Sequence, residues 1–206
     1  MNREIRRLLI LGPLLGGIAT GLTQPKDINR LTNKTELATF GGGCFWCTEA
    51  IFQMLPGVKS VTSGYAGGMA DNPTYKDVCS GNTGHAEVIQ IEYDPALVSY
   101  EKLLATFWEA HDPTTLNRQG NDSGTQYRSI ILYRTEAEKT AAEKSKTAAQ
   151  KHFGRPIVTE IVPLKKFFKA EGYHQDYYRS NSDVPYCRFV IRPKVEKFEK
   201  KLKEGH

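Results

Sequence analysis

The sequence predicts an α+β protein: a two-layer sandwich with a ferredoxin-like split βαβ core and a helical extension at the carboxy terminus. Three observations carry this expectation. Strand and helix patterns follow the order β-α-β-β-α-β, with a further helix and strand behind them. The stretch HAEVIQIEY alternates with period two, as a half-buried strand does. SYEKLLATFWEAH places Leu103, Leu104, Phe107, Trp108 and His111 on one helical face.

The elements follow in order. Arg3, Arg6 and Arg7 form a basic start, and Leu8 to Leu22 is an apolar run of fifteen residues with small residues at Ala19-Thr20-Gly21. Residues 1–21 therefore read as a secretory signal peptide. The run is short for a bilayer-spanning helix, so export to a periplasm or cell envelope is expected, with an uncleaved membrane anchor as the alternative. Without residues 1–21 the formal charge falls from +5 to +3, too little to argue for a nucleic-acid partner. Residues 22–34 are polar and read as a linker. Residues 35–206 read as the folded domain with its basic tail.

Within that domain TELATF is a strand, Cys44 to Leu55 a helix, and VKSVTSGY a strand ended by glycines. HAEVIQIEYDP is the next strand, closed by Asp-Pro. Ser99 caps the helix behind it. RSIILYR is a strand, Thr135 with Glu138 opens a long Ala/Lys/Glu helix, and IVTEIVPL is another strand. FFKAEGYHQDYYRSN reads as helical, and the lysine-rich tail packs through Val195, Phe198 and Leu202.

Four cysteines are too few for a disulfide-scaffolded mini-protein and unnecessary for a domain of this size. A structural zinc site wants four ligands, and only one Cys-x-x-C exists here, so no metal is expected. FGGGCFWCTEA instead leads a strand through glycines into a helix. Cys44 then stands at the helix amino terminus, where free N–H groups and the helix dipole favour a thiolate. Cys47 falls on the inward stripe with Ala50, Ile51, Met54 and Leu55, equally readable as a buried small hydrophobe or a redox thiol. Phe45 and Trp46 are either packing residues or an aromatic wall beside the nucleophile. Cys79 reads as structural.

In HAEVIQIEY one face carries Glu87 with Ile89, Ile91 and Tyr93. Were that the core face, desolvation would hold Glu87 protonated near neutrality. The alternative is a solvated strand end. The loop HDPTTLNRQGNDSGTQYRS is long enough to be functional, and Asp122 and Tyr127 are its polar groups best able to orient a ligand.

These residues resemble the peptide methionine sulfoxide reductase A family. The resemblance runs from about Ala38 to Tyr186 through GGGCFWC, VTSGYAGG, PTYKDVCSGNTGHAEVIQIEYDP, FWEAHDPTTLNRQGNDSGTQYRS and EGYHQDYY. It implies an enzyme that repairs oxidised methionine. Cys44 would attack the sulfoxide sulfur and become a sulfenic acid. Glu87 would protonate the oxygen, Tyr75 and Tyr127 would hydrogen-bond it, and Asp122 would organise the site. Phe45 and Trp46 would hold the substrate methyl group, giving a preference for the S epimer. Cys187, on a stretch able to move, or Cys47 would resolve the sulfenic acid, and a thioredoxin or similar thiol reductant would complete the cycle. The resemblance implies no cofactor, a monomer, and oxidised proteins and free methionine sulfoxide as substrates. The competing reading is a thioredoxin-like dithiol oxidoreductase that uses the Cys44/Cys47 pair.

Overall fold

A computed structural model describes residues 35–204; the expected signal peptide (1–21) and linker (22–34) lie outside the described residues. Strand β1 (Glu36–Gly42) leads into helix α1 (Phe45–Phe52), followed by β2 (Val58–Ala66), short α2 (Tyr75–Cys79), β3 (Ala86–Tyr93) and α3 (Tyr100–Ala110). A small hairpin, β4 (Arg118–Gln119) with β5 (Asp122–Ser123), precedes β6 (Ser129–Tyr133), α4 (Glu136–Ala149) and β7 (Glu160–Pro163). The chain closes with β8 (Phe167–Lys169), α5 (Tyr177–Ser180) and α6 (Arg192–Lys203).

One sheet holds the strands in the order β7-β6-β1-β3-β2-β8, antiparallel except for β6 beside β7. Its centre, β6-β1-β3-β2, is the expected split βαβ unit: α1 joins β1 to β2, and β3 lies between them running the other way. Ile89, Ile91 and Tyr93 of β3 and Phe40 of β1 pack on Ile51, Phe52, Leu103, Leu104 and Phe107 of the helices. Burying a side chain of that size fully stabilises the fold by about 1.5–3 kcal/mol. The opposite sheet face, with Val88, Ile130 and Leu132, is covered by Val162, Leu164 and Phe167. Ser99 and Thr135 accept the amide hydrogens of Lys102 and Glu138, both at 3.1 Å, and so start α3 and α4 as their sequence positions imply. Val195 and Phe198 are the buried stripe of α6.

Three segments depart from the sequence reading. Phe167 to Asn181 is not one helix but β8, a turn and α5, because the Gln175 side chain accepts from Ser63 N and donates to Ser63 O, both at 3.0 Å. It thereby stands in for a strand along β2, and Asp176 takes left-handed backbone at φ 51°. PTYKDVC contains the unforeseen α2, opened by a capping box between Thr74 and Asp77. The stretch around Cys187 is not a mobile loop. It is a π-helical turn, Cys187–Ile191, that continues into α6, with Cys187 wholly buried against Ile191 and Val195.

Candidate active site

The glycine run sets the site's geometry. A Cβ on Gly41 would lie 2.7 Å from the Glu87 carbonyl oxygen, so glycine lets β1 approach β3 closely here. Gly43 adopts φ 94° and turns the chain so that Cys44 becomes the N-cap of α1. The Cys44 side chain caps nothing. The first amide of the helix, Phe45 N–H, instead donates to Glu87 Oε2 at 3.0 Å.

Cys44, Phe45, Trp46, Tyr75, Glu87, Asp122, Tyr127 and Tyr186 line one cavity of about 210 Å³. Of the residues singled out in the sequence, only Cys47 and Cys187 stand behind its wall, packed together with Cys44 under α6. Glu87 continues the row of Ile89 and Ile91 and is 2% exposed, so β3 turns its apolar face with this carboxyl inward. Burial pushes its pKa up to about 8 against the pull of the Phe45 amide, and the charges of Asp122 and Cys47 add to the rise. Glu87 is therefore a neutral acid at pH 7.

The thiols differ from the expectation for an exposed helix terminus. Cys44 is 7% exposed, and burial, followed by its hydrogen bond to Cys47, pushes its thiol well up. Cys47 is lowered to about 7, first by that same hydrogen bond, then by Lys194 and Tyr186, with burial opposing. The two thiols titrate together, and the first proton lost belongs to the pair, its negative charge lying between two neighbouring sulfurs.

Trp46 lies between its neighbours. Its ring stacks on Tyr177 at 3.6 Å between centroids and 6° between planes, and its Nε1–H donates to His174 Nδ1 at 3.2 Å. That bond leaves the His174 proton on Nε2, and burial keeps the ring's pKa low, hence neutral. His174 also packs on Tyr75 and Phe45, with centroids 4.4 and 5.0 Å away. Glu171 holds Tyr75 by its backbone N–H and Tyr65 by its hydroxyl, both at 2.8 Å. Burial raises the pKa values of the Tyr75 and Tyr127 phenols, which keeps them protonated as donors. Tyr186 donates its hydroxyl to Asp122 Oδ2 at 2.7 Å and lies within hydrogen-bonding reach of Cys44.

Tyr186, Glu171, His174 and Tyr177 went unassigned in the sequence. The aromatic density of EGYHQDYY was the available signal for three of them, and only chain folding brings it to Trp46. Cys79 is exposed, not structural, and its thiol is hydrogen-bonded to the Tyr75 phenol. No cluster of His, Cys, Asp or Glu among the described residues is placed to hold a metal ion.

One thiol backed by a second, a buried carboxyl with a raised pKa and phenolic donors at one small cavity are the makings of a thiol enzyme with a built-in proton donor. The family model described as peptide methionine sulfoxide reductase matches residues 36–206. A peptide methionine sulfoxide reductase MsrA of Sulfolobus acidocaldarius is 55% identical over 165 residues, 80% of this chain and 94% of the relative. The crystal structure of reduced Mxr1 from Saccharomyces cerevisiae superposes with a TM-score of 0.71 at 39% identity, covering 75% of this chain and 90% of Mxr1. Mxr1 in complex with Trx2 matches at a TM-score of 0.52 and 27% identity, covering 74% and 91%. The chain belongs to the peptide methionine sulfoxide reductase family. It is an oxidoreductase that reduces methionine sulfoxide in peptides, and the dithiol-oxidoreductase alternative is not favoured.

Proposed function

We propose that Cys44 is the nucleophile and Glu87 the acid of this reduction, a reading carried by one observation: a carboxyl neutral at pH 7 facing the same small cavity as the thiol. As Cys44 Sγ bonds to the sulfoxide sulfur, its proton passes to the Cys47 thiolate and the Glu87 proton goes to the sulfoxide oxygen. The hydroxyl then passes from the substrate sulfur to Cys44 Sγ: an O–Sγ bond forms as the substrate S–O bond and the bond between the two sulfurs break, leaving Cys44 as a sulfenic acid and the substrate as the sulfide. A thiolate alone would fail, because an unprotonated sulfoxide oxygen is a poor leaving group. Tyr75 and Tyr127 donate to that oxygen, and Asp122 acts through the Tyr186 hydroxyl it accepts from. Phe45 and Trp46, braced by His174 and Tyr177, take the methyl group. Thiol, oxygen site and methyl pocket fix three directions at sulfur, which supports selection of the S epimer.

A second thiol resolves the sulfenic acid to a disulfide, and a thioredoxin-type dithiol reduces it. The Trx2 complex of the yeast relative supports that partner. A monomeric catalyst is part of this proposal. The basic, apolar and small-residue pattern of residues 1–21 supports export to an envelope compartment. The test is thioredoxin-coupled NADPH oxidation with separate S and R sulfoxide substrates. Turnover of the S epimer that vanishes in Cys44→Ser is expected; turnover surviving that change overturns the assignment.

A further inference from the structure

The resolving thiol has two candidates, Cys47 and Cys187, and the surroundings of the two differ. Both are buried with Cys44 in one cluster. Several titratable or charged groups face Cys47: Cys44 from the N-cap of its own helix, Tyr186 and Cys187 from the carboxy-terminal segment, Asp122 from the β4–β5 hairpin, Glu87 from β3, and Lys194 from α6. Of these only Lys194 carries a positive charge. Its Nζ lies 3.7 Å from Cys47 Sγ and makes no ion pair among the described residues. Lys194 lines a different cleft, with Trp108, His111 and Lys197, and is absent from the wall of the substrate cavity. It therefore reaches the chemistry through Cys47 alone.

Resting on the sulfoxide-reductase reading, we propose that Lys194 selects Cys47 as the thiol that resolves the Cys44 sulfenic acid, its ammonium holding the Cys47 sulfur in its attacking form. Lys194 is thus a positioning residue for the second half of the cycle. In that step a bond forms between Cys47 Sγ and Cys44 Sγ as the Cys44 S–O bond breaks. The sulfenic oxygen leaves as water, taking up the proton that Cys47 gives up; Cys44 falls from the sulfenic to the disulfide oxidation level and Cys47 rises to it. The external dithiol later reduces the disulfide.

The geometry around Cys44 favours this partner as well. Two residues at i and i+3 inside a helix hold their Cβ atoms about 5–6 Å apart, too far for the roughly 3.8 Å of a disulfide. Cys44, however, is the N-cap at ψ 123°, outside the helical spiral, and the two cysteines are packed in one buried cluster close enough to shift each other's titration. Cys187 is anchored at the first residue of a π-turn among Ile191 and Val195; burial and the Cys47 charge raise its thiol against Arg192, whose guanidinium is engaged by Asp183 at 3.7 Å and the Ser182 carbonyl at 3.1 Å.

The test is a single turnover of the full enzyme with one equivalent of a methionine S-sulfoxide peptide, quenched over time. Released sulfide, sulfenic acid trapped by a 1,3-dicarbonyl reagent, and the disulfide partner identified by peptide mass spectrometry are followed together. In the wild type the disulfide should join Cys44 to Cys47. Loss of an adjacent positive charge shifts a thiol by about one pKa unit. In Lys194→Gln at pH 7 the sulfenic acid should then persist about fivefold longer, recovering when the pH is raised by roughly one unit, whereas Lys194→Arg should behave like the wild type. A Cys44–Cys187 disulfide in the wild type, or an unchanged sulfenic-acid lifetime and pH profile in Lys194→Gln, overturns the inference. Failure to release any sulfide would overturn the underlying reductase reading instead.

Discussion

Glu49 and Glu87 are two buried carboxyls beside the same helix, and they do different things. Glu49, on α1, is 1% exposed and Glu87, at its amino terminus, is 2% exposed. Burial raises both, Glu49 to about 7 and Glu87 to about 8. Glu49 Oε2 accepts from Tyr177 N at 3.3 Å, while its Oε1 and the nearby Ser63 hydroxyl have no partner among the described residues. Glu87 also accepts one backbone amide, but it faces the cavity. Desolvation makes a shifted acid in both places; only the open face beside Cys44 makes one of them a proton donor.

The same substitution at both positions separates them. Glu87→Gln should slow sulfide release in a single turnover by about 10²–10⁴-fold, the usual worth of a positioned general acid, with Cys44 alkylation near normal. Glu49→Gln keeps an acceptor for Tyr177 and should leave that rate within about twofold. A Glu87→Gln enzyme of normal rate would move the donor to Tyr127 or Tyr75.

A pH profile sharpens the contrast. Reduction needs the thiol pair ionised and Glu87 protonated, so sulfide release should rise through about pH 7 and fall above about pH 8. Loss of the alkaline limb in Glu87→Gln, and its survival in Glu49→Gln, is the expected pattern in stopped-flow measurements.

Stability should respond to both carboxyls. Each folded pKa lies above the ordinary 4.5, so each adds stability below pH 4.5 and loses it as the pH rises towards 7 or 8. Between pH 4.5 and 6.5, below the range of the thiols, each carboxyl pulls the urea midpoint down as the pH rises, while buried His111, lowered to about 4, and His174, also lowered, push it up. The slope per carboxyl is at most about 1.4 kcal/mol per pH unit. Either Gln variant should lose its own carboxyl's downward pull; a curve parallel to the wild type would mean that the carboxyl concerned is not shifted. The smallest effect is expected of Trp46→Phe, which loses the bond to His174, worth about 1 kcal/mol. KM for the sulfoxide should rise roughly fivefold with little change in the rate of disulfide closure.

Periodicity made much of this legible. The alternation of HAEVIQIEY placed Glu87 in an apolar row, and the chain order carried the split βαβ sheet. Ser99 and Thr135 announced two helix starts. What local pattern could not carry was anything set by distant chain folding back. Gln175 overrides helix formation only because Ser63 stands opposite it, and Tyr186 reaches Asp122 across 64 residues of sequence. The cover over the thiols was hidden for the same reason: a helix terminus is visible in GGGCFWC, but the α6 packing that buries Cys44 and brings Lys194 to Cys47 is not.

The chain holds two tryptophans, and they report on different places. Trp108 lies against the core with its Nε1 bound to Ser145 at 2.7 Å. Trp46 is pressed between Tyr177, His174 and the cavity. A Trp108→Phe protein would carry a single tryptophan, at the methyl pocket, excitable apart from the ten tyrosines at the red edge of the absorption band. Its emission should change as the sulfoxide enters and again as the sulfide leaves, so that occupancy can be timed by light without a label.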